Sequence, residues 1–275
     1  MADTRPLRTY GRTKARTLKP RQAALVESLL PHLALPEAGA IDVEALFKPS
    51  PPLRGRGQGE GGRAGGTESG AVAVPPARPP SGRFAATSPA RGEGSAGAIP
   101  LILEIGFGGG EHLVAQAGAH PDARFIGVEP FLNGVASCLR HIEESGVQNV
   151  RLCQGDARDV IARLPDACLD LVYILFPDPW PKTRHWKRRL IQREFLDELA
   201  RVLKPGGEVC FATDWAHYAA WTLEHFVKHP AFAWTAERAS DWRAPWPGHV
   251  PTRYEQKRLG DCAPIYLRFV RPEAI

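Results

Sequence analysis

Five carboxylates, Glu104, Glu129, Asp156, Asp178 and Asp214, stand at or just beyond the ends of successive apolar runs: PLILEIGF, FIGVE, VRLCQGD, LDLVYILF and EVCFAT. Ionised carboxylates accept hydrogen bonds from hydroxyls and amines and stabilise nearby positive charge. One acid at a strand end is ordinarily a helix cap or turn residue. Five in register point instead to a ligand with several donors or cationic groups. In ILFPDPWPKTRHWKRR, Asp178 is fenced by Pro177 and Pro179, whose fixed φ angles narrow its freedom. Lys182, Arg184, Lys187, Arg188 and Arg189 follow at once, able to neutralise phosphates, with Trp180 and Trp186 available to stack on a base.

After the first apolar run, Gly106, Gly108 and Gly110 let the backbone turn tightly and approach a ligand closely. Two nucleotide-like ligands suit such a turn. A dinucleotide would set its pyrophosphate against the start of the next helix, where this chain carries Glu111 and would repel it. S-adenosylmethionine has no phosphate and carries sulfonium and ammonium cations, which match an acidic rim. In that reading Glu129 accepts from the ribose hydroxyls, Asp156 from the adenine amine, and Glu104 lies near the methionine end.

These residues need a scaffold that brings strand ends together. From Ile99 onward short apolar runs alternate with helical stretches such as FLNGVASCLRHIEES and IQREFLDELARVL. In the latter, Ile191, Phe195, Leu196, Leu199, Val202 and Leu203 mark one face, and KPGG ends the helix. This predicts an α/β fold, a mostly parallel twisted Rossmann-like sheet with helices on both faces, whose ligands bind at the carboxyl ends of the strands. Upstream, RQAALVESLLPHLAL reads as a helix broken or bent at Pro31.

Three regions are expected: a basic arm and helix over 1–48, a Gly/Pro/Arg-rich disordered insertion over 49–97, and a catalytic domain over 98–275. The insertion holds 12 Gly and 8 Pro, too little apolar surface to offset its chain entropy. It reads as a neutral insertion rather than an RGG-like RNA-binding tract, having no aromatics interleaved for stacking. Net charge is +5, but the arm and the insertion are basic and leave the remainder acidic. Local basicity of this kind suits contact with phosphates. No apolar run is long enough to span a membrane, no signal peptide is evident, and a cytoplasmic monomer or homodimer is expected. The five cysteines lack CxxC spacing and read as reduced small hydrophobes. His225 and His229 have i, i+4 metal-ligand spacing without further ligands nearby, so exposed histidines and no metal are expected.

Taken together, EIGFGGGEHL, GVEPF, GDA, FPDPWPKTRHWKRR, ATDW and TRYEQK resemble the bacterial tRNA guanine-N7 methyltransferases, over residues 98–272 and more loosely the basic arm. The resemblance implies a class I S-adenosylmethionine-dependent methyltransferase acting on the variable-loop guanosine of tRNA (position 46). Glu104, Glu129 and Asp156 match the family's cofactor-binding acids. Asp178 matches its catalytic aspartate, also placed with the cofactor. Lys182, Asp214 and the segment Thr252, Arg253, Tyr254 and Glu255 match substrate-binding positions, and Arg184 to Arg189 an RNA-contacting segment. Asp214 and Glu255 would then accept from guanine N1 and N2. Trp186 stands where relatives are expected to be polar, leaving stacking and packing both open, and the 49–97 insertion stands outside the family pattern. Other readings are a methyltransferase of small molecules or proteins, a non-catalytic RNA-binding protein on the same fold, and a dinucleotide enzyme.

Overall fold

The computed structural model describes residues 17–48 and 98–273. Most of the basic arm and the whole 49–97 segment lie outside the described residues. Three helices come first: α1 (Pro20–Ser28), α2 (Leu30–Leu33) and α3 (Val43–Leu46). Pro20 opens α1 and Pro31 lies in the first turn of α2, positions where a missing N–H costs no helical bond. The expected break at Pro31 therefore falls just before it.

The main body runs β1 (Leu101–Ile105), α4 (Glu111–Ala119), β2 (Arg124–Val128), α5 (Leu132–Ser145), β3 (Val150–Cys153), α6 (Ala157–Arg163) and β4 (Leu169–Leu175). A 3-10 helix at Thr183–Arg188 leads to α7 (Arg193–Val202), β5 (Leu203–Thr213), α8 (Ala216–Val227), β6 (Ala233–Trp234), α9 (Ser240–Arg243), α10 (Arg253–Lys257) and β7 (Ile265–Val270). The strands form one sheet ordered β3-β2-β1-β4-β5-β7-β6. Strands β1 to β5 are parallel, and β7 is antiparallel to both neighbours. Every residue of β1 is buried, as a central strand covered on both faces requires.

The apolar face read from α7 is the one that packs: Phe195, Leu196, Leu199 and Val202 are buried, with Ile191 and Leu203 at its ends. KPGG does not separate helix from strand. It bulges out of β5 instead, since Leu169 pairs with Leu203 and Leu171 with Glu208. Residues just after α2 run along β3, where Ala34 bridges Leu152 and the Leu35 N–H donates to the Leu152 carbonyl.

His229 departs from the expected exposed histidine. It is buried, with Nε2 hydrogen-bonded to Asp197 at 3.0 Å, while His225 stacks on Trp221. An imidazole at a helix end finds a carboxylate on a facing helix, a pairing that sequence spacing does not reveal. All five cysteines are free, and no helix among the described residues is long and apolar enough to cross a membrane.

Candidate active site

The order reverses at β1, whose neighbours are β2 and β4, and the crevice at such a switch point is where open α/β sheets bind ligands. A cleft of about 620 Å³ opens there, lined by Glu104, the glycine turn, Glu129, Asp156, Asp178 and Thr252 to Tyr254. The turn adopts the conformation that its glycines allow: Gly106, Gly108 and Gly110 have φ of 71°, 55° and 82°. Gly134 on α5 is equally necessary and carried no signal in the sequence. A Cβ there would lie 2.4 Å from the Gly108 carbonyl oxygen, so its absence lets α5 press against the turn.

The rim acids divide by what already holds them. Glu104 is buried and its Oε2 lies 2.8 Å from His112 Nδ1. Glu129 accepts from the Gly108 and Phe131 amides, each at 2.9 Å, which fixes it between the glycine turn and α5. Asp156 caps α6 by accepting from the Arg158 amide and also takes Arg158 Nη1 at 3.0 Å. Asp178 has no hydrogen bond or ion pair to any described residue.

Burial pushes the Glu129 carboxyl above the ordinary range, against the pull of its two amide bonds and with the Asp178 charge adding to the rise. Desolvation by the cleft walls raises Asp178 as well, although its side chain faces open space. Two carboxylates held reluctantly ionised beside one another form a site for a cation. The backbone around Asp178 is strained in the same sense, for Phe176 and Trp180 both have positive φ, at 51° and 42°. Such strain persists only where the surroundings enforce it.

Arg189 supplies the enforcement and corrects one expectation. Rather than facing phosphates it is 1% exposed. Its Nε donates to the Pro179 carbonyl at 2.9 Å, and its guanidinium lies about 5 Å from the rings of Trp186, Tyr218 and Trp221. A planar cation among three aromatic faces, donating to main-chain carbonyls, satisfies its charge internally. Trp186 is half-buried and packs against this cluster, with its ring 4.6 Å from His217 and 5.6 Å from Trp221. Lys182, Arg184 and Lys187 remain exposed, and Arg188 lies over the Trp180 ring at the cleft wall.

Two further expected base contacts already have partners within the protein. Asp214 is buried and accepts from the Gly260 amide at 2.7 Å, outside the lining of the cleft. Glu255 forms a capping box with Thr252, takes His249 Nε2 at 2.7 Å, and accepts from the Tyr266 hydroxyl. A strand-end or helix-start acid satisfies its lone pairs with the nearest donors, and here those are internal. Thr252, Arg253 and Tyr254 do reach the cleft. Phe107, Phe131 and Phe176, not singled out in the sequence, supply apolar walls suited to a planar base.

A glycine turn after β1, an amide-anchored acid after β2, a capping acid after β3 and an antiparallel β7 between β5 and β6 define a class I methyltransferase. The cleft fits S-adenosylmethionine: Gly106 and Gly108 face open space where a side chain would stand, leaving a bare cradle, and Glu129 and Asp178 favour a cation. A family model described as a putative methyltransferase matches residues 98–266. A tRNA (guanine-N(7)-)-methyltransferase of Caulobacter vibrioides is 47% identical over 266 residues, covering 97% of this chain and 96% of that protein. Those of Nitrobacter hamburgensis and Rhizobium meliloti are 42% and 41% identical, covering 95% and 98% of this chain and 86% and 100% of theirs. The chain belongs to the tRNA (guanine-N(7)-)-methyltransferase family.

Proposed function

We propose that this chain transfers the methyl group of S-adenosylmethionine to N7 of a guanosine in cytoplasmic tRNA, the variable-loop guanosine being its target. The observation that carries the reading is the contrast on the rim. Glu104, Glu129 and Asp156 are fixed by internal partners, whereas Asp178 is held in the same cleft by strained backbone without one.

S-adenosylmethionine, when bound, supplies an electrophilic methyl group on a sulfonium centre. Guanine N7 offers a lone pair and carries no proton, so the chain need not provide a general base. Its task is alignment and charge. Glu104, Glu129, Asp156 and the glycine turn hold the donor, while Thr252, Arg253 and Tyr254 border the space left for the base. Asp178 faces the region where the purine becomes positive, and a preorganised carboxylate there favours the transition state over the ground state. Lys182, Arg184 and Lys187 lie outward, where a polyanion's phosphates would run, with Arg188 at the boundary.

The test is incubation with labelled S-adenosylmethionine and unmodified tRNA, followed by mapping of the labelled nucleotide. Label at N7 of the variable-loop guanosine is expected. Label on another base, or on no RNA at all, would overturn the reading.

A further inference from the structure

Beneath the segment that carries Thr252 to Tyr254 lies a buried pair of imidazoles. His112 and His249 have ring centroids 5.7 Å apart. His112 is 1% exposed and pairs through Nδ1 with Glu104, a residue of the donor pocket. The side chain of His249 is 2% exposed and pairs through Nε2 with Glu255, which also receives the Tyr266 hydroxyl. The second nitrogens, His112 Nε2 and His249 Nδ1, are both buried without a partner among the described residues. Two carboxylate-imidazole pairs thus meet ring to ring, one rooted in β1 and the other in the loop before β7.

The surroundings make this junction stiff. Tyr173 of β4 stands edge-on to His112 at 4.8 Å, and Trp246 stands edge-on to His249 at 5.3 Å. Gln116 of α4 donates to the Gly248 carbonyl at 2.7 Å, fastening the loop backbone beside the ring. Apolar side chains would fill such a space without leaving imidazole nitrogens unsatisfied, so packing alone does not account for the arrangement.

We infer that His249 is a positioning residue that seats the substrate-facing loop against Glu104 through His112, so that filling the donor site and binding tRNA reinforce one another. This rests on the methyltransferase reading above and adds a linkage that the reading does not require. A ligand that fixes Glu104 fixes His112, and the ring contact passes that restraint to His249, Glu255 and the turn bearing Thr252 to Tyr254. Coupling of this kind is reciprocal and is measurable as a ratio of affinities.

The experiment measures the Kd of unmodified tRNA with and without saturating S-adenosylhomocysteine. The expected tightening in the unaltered protein is about fivefold or more, the lower end of coupling between distinct sites. His249→Phe should bring that ratio close to one while S-adenosylhomocysteine affinity holds. His249→Gln, whose amide can still reach Glu255, should restore most of it. A ratio unchanged in His249→Phe, or absent in the unaltered protein, would overturn the inference. Should melting show that His249→Phe does not fold, Gln116→Met frees Gly248 without touching either pair and must reduce the ratio; an unchanged ratio there also overturns it. Failure of the unaltered protein to methylate tRNA at N7 would instead count against the enzymatic reading, since the ratio is read without turnover.

Discussion

Arg253 Nη2 lies 3.0 Å from Glu111 Oε1, joining the first turn of α10 to the first turn of α4 across the cleft that both residues line. Glu111 holds the place where a dinucleotide fold would need room for pyrophosphate, and here it receives a guanidinium from the loop opposite. The Arg253 side chain is 61% exposed, so the pair contributes little to folding. Arg253→Ala should change stability by less than about 1 kcal/mol. It should nevertheless speed dissociation of S-adenosylhomocysteine, because the strap over the glycine turn is lost. Stopped-flow release together with thermal melting separates the two effects, and unaltered release would reduce the contact to a surface ion pair.

Asp178→Asn removes charge while keeping shape. Methyl transfer should fall by about 100-fold or more, as when a preorganised electrostatic group is deleted, with S-adenosylhomocysteine still bound. Stability should move the other way. Desolvation raises the Asp178 carboxyl in the folded protein, so at neutral pH its charge opposes folding, and that cost fades as pH falls through the raised value. The variant should therefore melt slightly higher than the unaltered protein at pH 7, solvent at the open cleft keeping the gap small, and the gap should close toward acid. Parallel melting curves across pH check the sign.

Gly134→Ala sets helix propensity against geometry. Alanine in the first turn of α5 would ordinarily gain up to about 1 kcal/mol over glycine. The added methyl would meet the Gly108 carbonyl at 2.4 Å, however, and backbone cannot yield as a side chain can. The turn must shift, and cofactor affinity should drop by more than tenfold in calorimetric titration even if the fold survives. Wild-type affinity in this variant would show that the turn tolerates displacement.

The basic segment should separate into two classes under salt titration. Replacing Lys182, Arg184 and Lys187 together by Ala should flatten the slope of log affinity for tRNA against log salt by about 2 to 3, near one counterion per phosphate contact. Arg189→Met should leave the slope alone and cost stability, on the order of 3 kcal/mol, because the Pro179 carbonyl loses a charged donor inside an aromatic cage. A changed slope for Arg189→Met would mean that the cage opens in solution.

These contrasts mark where reading the chain alone succeeds and where it stops. Strand ends were legible because each apolar run closes on a glycine or an acid, and parallel topology then forces Glu104, Glu129, Asp156 and Asp178 to one rim. Periodicity exposed the buried face of α7 for the same reason, since it is a property of one element. Arg189 and His229 are buried, and Asp214 and Glu255 already have internal partners, because Pro179 with three aromatic rings, Asp197, Gly260, and His249 with Tyr266 come from elements distant in sequence. A charged side chain is expected in water until a tertiary donor or acceptor competes for it. The requirement for Gly134 lies in another loop's carbonyl and so leaves no mark in the sequence of its own helix.

The stretch at Ala34 and Leu35 that bridges Leu152 also bears on how the protein behaves in concentrated solution. An open strand edge is a template on which another molecule's strand can add, and β3 would offer one on this side of the sheet. By occupying that edge the N-terminal segment acts as a guard against self-association. Leu35→Pro, which removes the amide that donates to Leu152, would be expected to loosen that edge and raise self-association in light scattering.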